Sequence, residues 1–167
     1  MKPILIQSAR IIDPSQNIDE NGNLLIAGGK IKRLERSADK LPAGDYDVID
    51  ARNLVVCPGF IDLHCHLRDP GLEEKETIAT GTLAAARGGF TTVCCMPNTE
   101  PPIDSQSIVQ YIKEKATNEG AVRVLPIGCI TRGRKGEALA EMGELAKSGV
   151  IAYSDDGNPV MNSRLMR

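Results

Sequence analysis

The chain has 167 residues, 41% of them hydrophobic and 25% charged, with a formal net charge of -2; that balance belongs to an ordinary globular protein and excludes a disordered, fibrous or disulfide-dense one. Lys and Arg are scattered rather than gathered into a stripe, which argues against nucleic acid or an anionic membrane and favours a small neutral or anionic substrate. No apolar run approaches the ~20 residues of a membrane span, and Met1 to Arg10 lacks the order of a secretory signal, so a cytoplasmic protein is expected.

From Ile4 to about Cys57 the sequence holds short β-type runs: Ile4-Leu5-Ile6, Leu24-Leu25-Ile26 with Ile31 beyond, Val48-Ile49, and Leu54-Val55-Val56. Asn21-Gly22, Gly28-Gly29 and Pro42-Ala43-Gly44 punctuate them as turns between strands would. Residues 1–57 therefore read as a small all-β unit. After Pro58-Gly59 the rhythm changes to strand alternating with helix. The pattern predicts a strand over Phe60 to His64, a helix over Glu73 to Arg87 closed by Gly88-Gly89, and a strand over Phe90 to Met96. A helix over Ser105 to Ala116 follows, opened by Asp104 or Ser105, then a strand over Val122 to Ile130 and a helix over Glu137 to Lys147. A strand over Val150 to Tyr153 and the start of a helix at Asn162 to Arg167 complete the chain.

Repeated β-α units with near-continuous apolar strands predict an α/β fold in which helices cover a parallel sheet, either doubly wound or closed into a barrel. His64, His66, Arg68, Asn98, Asp155 and Asp156 all fall at or just past the C-terminal ends of strands, where a (β/α)8 TIM-type barrel places its active site. Residues 58–167 would then cover about the first four β/α units, half a barrel.

His64 and His66 are the two histidines of the chain, and at i and i+2 on a strand their side chains share one face. Imidazole is the commonest protein ligand for zinc, and catalytic zinc sites keep a position open for water. Spacing alone is equally compatible with a pair of satisfied core or loop histidines. Asp62, His64, His66, Arg68 and Asp69 crowd five polar groups around one strand end, more than burial tolerates without a purpose. Arg68 offers a planar fork for a carboxylate; a surface salt bridge to Asp69 or Glu73 is its plainer role. Cys65 should point the opposite way, toward the covering helices. Asn98 places a short amide at the mouth of the next strand, although Asn beside Pro also favours a turn. Of Asp155 and Asp156, one could serve a metal while the other orients its neighbours, with helix capping the plainer role of Asp155. The five cysteines form an odd set without zinc-ribbon spacing and read as buried thiols.

The stretch from Pro58 to Gly71, with His64-Cys65-His66-Leu67-Arg68-Asp69-Pro70-Gly71 at its centre, resembles the signature of the amidohydrolase superfamily in its dihydroorotase form. Gly88-Gly89-Phe90-Thr91-Thr92 and Met96-Pro97-Asn98-Thr99 continue the likeness, and Ser154-Asp155-Asp156-Gly157 is similar to the fourth-strand motif of the bacterial, long-chain type. The resemblance implies a metal-dependent cyclic amide hydrolase that interconverts dihydroorotate and N-carbamoyl-aspartate in pyrimidine synthesis. It implies one or two zinc ions held by His64, His66 and Asp156, with Arg68 and Asn98 holding the substrate carboxylate. It also implies that residues 1–57 are part of a small β-sandwich flanking the barrel, that the protein is a homo-oligomer, and that aspartate carbamoyltransferase is a candidate partner. The family pattern adds two more histidine ligands and an aspartate general base, expected beyond Arg167, so the 167 residues alone are expected to be inactive. Two alternatives stand beside this reading: a hydantoinase or allantoinase sharing the His-x-His strand, and a non-catalytic scaffold subunit, which would have no reason to keep His64, His66 and Asp156.

Overall fold

The structure is a computed structural model that describes residues 2–36 and 44–167. The chain divides into two compact units, Met1–Pro58 and Gly59–Arg167.

The first unit is a five-stranded sheet. Strand β1 (Ile4–Asp13) pairs antiparallel with β2 (Ile18–Ala27), which pairs antiparallel with β3 (Lys30–Glu35). Strands β4 (Asp47–Asp50) and β5 (Val55–Val56) both run parallel to β1. Gly28 and Gly29 make the β2–β3 turn with φ of +59° and +69°, a backbone that a side chain would strain. Asn21-Gly22 is not the turn that its composition predicts: it lies inside β2, opposite Arg10 and Ala9. A Cβ on Gly22 would stand 2.6 Å from the Glu35 carbonyl oxygen, so close approach of β3 explains the glycine. The turn expected at Pro42-Ala43 lies outside the described residues. Between Ile6 and Ala9 the β1–β2 register shifts, and Ser8 sits there with φ +62° while its amide donates to the buried Asn23 Oδ1 at 2.9 Å. Ala9, Ile11, Leu24 and Ala51 form the core of this unit.

The second unit is built on three parallel strands, β6 (Phe60–Cys65), β7 (Phe90–Cys95) and β8 (Arg123–Pro126), in that order. Helices α1 (Ile78–Arg87) and α2 (Gln106–Glu119) supply the two crossovers. Helix α1 begins five residues later than its sequence pattern predicts, because Thr77 and Thr80 form a reciprocal capping box that fixes the N-terminus there. Ser105 occupies the N-cap of α2 as expected, but Asp104 instead accepts from the Gly133 amide at 2.8 Å.

Beyond β8 the chain passes through α3 (Met142–Ser148) to the predicted fourth strand, which forms only an isolated parallel bridge, Gly128 with Tyr153. Ladder bonds nevertheless run along it: Ile151 N to Pro126 O, Gly128 N to Ala152 O and Ser154 N to Gly128 O, all 2.9–3.1 Å. The short helix α4 (Ser163–Met166) ends the chain.

Burial on β7 alternates between two faces that are both covered, as parallel strands require. Val93 and Cys95 pack with Ile78, Val109 and Ile112 beneath the helices, while Cys94 and Met96 pack with Ile127 on the opposite face. Cys65 packs against the helix-side core, opposite to the two histidines around it. The expectation that all five cysteines are buried holds for Cys94, Cys95 and Cys129, but Cys65 is only half-buried and Cys57 is exposed.

Candidate metal centre

The parallel registers continue past the strand ends, with Met96 N donating to Cys65 O at 2.9 Å between β7 and β6, and Ile127 N to Cys95 O at 3.0 Å between β8 and β7. That staggered edge brings residues remote in sequence to one rim. His64 ends β6 and His66 follows it; their ring centroids are 5.3 Å apart with planes at 72°. Asp62 shapes this end of the strand by accepting from the His64 amide at 3.0 Å.

Asp156 arrives from the far side of the unit. Its Oδ1 lies 3.2 Å from His64 Nε2 and its Oδ2 lies 3.8 Å from His66 Nε2. One ligand atom from each of the three residues falls within 4.8 Å of the others, and they form the one such group among the described residues. The backbone beneath Asp156 is held from three sides: its amide donates to Ser154 Oγ at 3.0 Å, and the Arg134 guanidinium donates to the carbonyls of Asp155 and Asp156.

Asn98 links the group internally. Its Nδ2 donates to Asp156 Oδ2 at 2.8 Å and its Oδ1 faces His66 Nδ1 at 2.9 Å. A carboxylate only accepts, so the amide nitrogen must face Asp156 and the amide oxygen must face His66. It follows that His66 donates from Nδ1, the tautomer that in a neutral ring leaves the Nε2 lone pair on the side of Asp156. The amide retains a second N–H for a further acceptor.

The neighbouring Asp155 has a different task. Only 3% exposed, it accepts from the amides of Ile130 (2.9 Å) and Thr131 (3.1 Å) and from the Thr131 hydroxyl. It therefore ties the turn after β8 to the loop that carries Asp156, and it caps no helix of its own. Arg68 sits two residues beyond His66 with φ +60°. Among the described residues its guanidinium has neither hydrogen bond nor ion pair, and the salt bridges weighed for it are taken up elsewhere: Asp69 binds Lys115, and Glu73 accepts from the Gly71 amide.

Two imidazoles and one carboxylate are a donor set that suits zinc, and the hydrogen bond at His66 Nδ1 is the outer contact that metal-binding histidines usually make. The residues present fit the ion. Sequence reasoning singled out each of the three residues that the structure brings together but missed the Asn98 bridge and the Asp155 clamp. Both join segments tens of residues apart, and no local signal encodes them.

The model of the dihydro-orotase-like family matches residues 53–167. The dihydroorotase of Geotalea daltonii is 58% identical over 164 residues, and the match takes in 98% of this chain and 38% of that protein. The dihydroorotase of Aquifex aeolicus is 47% identical over 167 residues, with 39% of its length covered. The chain thus spans under two-fifths of the length of these curated relatives. Among solved structures, the L-hydantoinase (dihydropyrimidinase) of Arthrobacter aurescens matches 99% of this chain and 37% of its own, with a TM-score of 0.79 and 20% identity, a likeness of fold.

Proposed function

We propose, from the premise that this chain belongs to the dihydro-orotase-like family, that the protein is a zinc-dependent cyclic amide hydrolase acting on dihydroorotate, with the reverse closure of N-carbamoyl-aspartate, in pyrimidine synthesis. The observation that carries the reading is the meeting of His64, His66 and Asp156 within 4.8 Å, on a rim followed two residues later by Arg68, whose guanidinium has no hydrogen bond or ion pair among the described residues. In this reading the second unit is the first half of a (β/α)8 barrel, and the first unit is part of a flanking β-sandwich.

His64 Nε2, His66 Nε2 and the Asp156 carboxylate would hold the ion. When bound, zinc supplies a Lewis acid that polarises a carbonyl and acidifies water. Asn98 keeps His66 in the tautomer that leaves Nε2 free and steadies the Asp156 carboxylate. Arg68 would take the substrate carboxylate in a two-pronged bond, joined by the second N–H of Asn98, and so orient the ring. The chain has no histidine besides His64 and His66, whereas the family pattern adds two more and an aspartate base. The 167 residues alone are therefore proposed to be inactive. A cytoplasmic location, a homo-oligomeric state and association with aspartate carbamoyltransferase complete the proposal.

The fold likeness to a hydantoinase does not favour hydantoin as substrate, because Arg68 matches a carboxylate that hydantoin lacks. The test is turnover of dihydroorotate, hydantoin and allantoin by the whole protein, with zinc content measured alongside. Dihydroorotate should be preferred; His64→Ala or His66→Ala should lower bound zinc and turnover by more than about 100-fold. Arg68→Ala should chiefly raise KM, by about 10- to 100-fold. Preference for hydantoin, or kinetics unchanged in Arg68→Ala, would defeat the assignment. Loss of zinc with partner assembly intact and no turnover in the parent would favour a scaffold subunit.

A further inference from the structure

We infer that Asp69, Tyr111 and Lys115 form a positioning network through which helix α2 fixes the pose of Arg68 and so sets substrate affinity without touching substrate; the inference rests on the reading of Arg68 as the carboxylate-binding residue.

The Asp69 side chain is fully buried. A carboxylate withdrawn from water needs charged or hydrogen-bonding partners, or it becomes a liability to the fold. Lys115 Nζ lies 2.9 Å from Oδ2, Tyr111 Oη donates to Oδ1 at 3.1 Å, and the first amide of α1, Ile78 N, approaches Oδ2 at 3.4 Å. Tyr111 and Lys115 are four residues apart, one turn along the same face of α2. They also meet each other, with Lys115 Nζ donating to Tyr111 Oη at 3.3 Å and standing 5.7 Å from the ring centre. The hydrogen bond to Asp69 raises the Lys115 pKa above its ordinary value, so the lysine stays cationic throughout the working pH range.

The network is attached at one particular point. Leu67, on one side of Arg68, is buried in the helix-side core, and Asp69, on the other, is buried in the ion pair. Between these anchors Arg68 adopts a left-handed backbone, which a non-glycine residue keeps only when its surroundings over-determine it. Its carbonyl accepts from Leu72 N at 3.0 Å, closing the loop over itself. The guanidinium is thus held at a fixed root while its charge stays available to an external anion. A buried ion pair is a poor source of stability compared with apolar packing of similar volume, and fixing geometry is its better-attested use.

The experiment measures kcat and KM for dihydroorotate in the whole protein, together with hydrogen exchange of the Leu72 and Ile78 amides. The variants are Lys115→Met, Tyr111→Phe, Lys115→Arg and, as a control, Val109→Ala, which loosens the core side of the same helix. KM should rise about tenfold in Lys115→Met and about threefold in Tyr111→Phe, with kcat within about twofold and the two amides exchanging faster. Lys115→Arg should restore most of the affinity, and Val109→Ala should lower stability without moving KM. If Lys115→Met does not fold, Tyr111→Phe decides alone. An unchanged KM in an active parent overturns the inference whatever the exchange shows. If the parent does not turn over dihydroorotate, the proposed function falls by itself, and unchanged exchange at Leu72 and Ile78 in the variants then overturns the positioning network as well.

Discussion

Replacing Asn98 with Ala removes the bridge between His66 and Asp156 while leaving in place all three residues proposed to hold zinc. Two hydrogen bonds disappear, at 2.9 Å and 2.8 Å. The bond to the carboxylate is charge-assisted and contributes about 1.5–3 kcal/mol, while the bond to the imidazole contributes about 1 kcal/mol. Asp156 keeps 15% of its side chain exposed, so water recovers part of that loss. A net loss of about 2 kcal/mol in the preset geometry converts to about a 30-fold weaker hold on zinc, at about 1.4 kcal/mol per factor of ten, inside the 10- to 100-fold range found for outer contacts of metal ligands. The assay is competition for zinc against a chromophoric chelator, with circular dichroism to check the fold. Asn98→Asp separates the two halves of the bridge: its carboxylate can still accept from His66 but can no longer donate to Asp156. Zinc affinity in a folded Asn98→Ala variant equal to that of the parent would refute the argument that this amide sets the tautomer of His66 and the position of Asp156.

Two further outcomes follow from buried groups near the centre. Asp155→Ala leaves the amides of Ile130 and Thr131 without their acceptor, and each stranded group costs about 1–3 kcal/mol. The urea midpoint should fall by more than about 1 M, with a smaller fall in Asp155→Asn; a shift of a few tenths molar would show that the clamp is dispensable. At pH 8 an alkylating reagent should modify the exposed Cys57 first, while Cys65, Cys95 and Cys129 stay unmodified. Burial is the main cause that pushes these three thiols up to about 12. Because a raised pKa favours the neutral thiol, the reactive thiolate is only about one part in ten thousand at pH 8. Modification of Cys65 at the rate of Cys57 in the folded protein would contradict the burial on which that ordering depends.

The rim of the second unit is legible in the sequence because strand ends are. Apolar runs that open after Pro58-Gly59 and Gly88-Gly89 locate β6 and β7, Pro97 closes the second, and the polar residues at or just past those strand ends must stand at that edge; His64, His66, Arg68 and Asn98 are found in this way. The choice between Asp155 and Asp156 is not legible from that rule. Consecutive residues at a strand end face opposite ways, so the pattern assigns one to the rim and one to the interior without saying which. The structure turns Asp155 to the amides of Ile130 and Thr131 and Asp156 to the histidines.

Local signals mislead where a residue answers to a distant neighbour rather than to its own turn. Asn21-Gly22 has the composition of a hairpin turn, yet the glycine is there because the Glu35 carbonyl passes where a Cβ would stand. Glu73 to Glu76 extends the helical pattern of α1, yet the capping box at Thr77 starts the helix after it. The same distinction separates donors from their supports at the centre. Which residues stand at the rim is a property of the strand ends, but the contacts that hold the neighbouring segments, Asn98 with Asp156 across 58 residues and Asp69 with Tyr111 across 42, exist only once the crossovers through α1 and α2 have stacked the strands in register. Substitutions at the donors should therefore act on metal and substrate directly. A substitution at Asn98 should weaken zinc and substrate binding together, and one at Lys115 substrate affinity alone, with all three proposed donors left in the sequence.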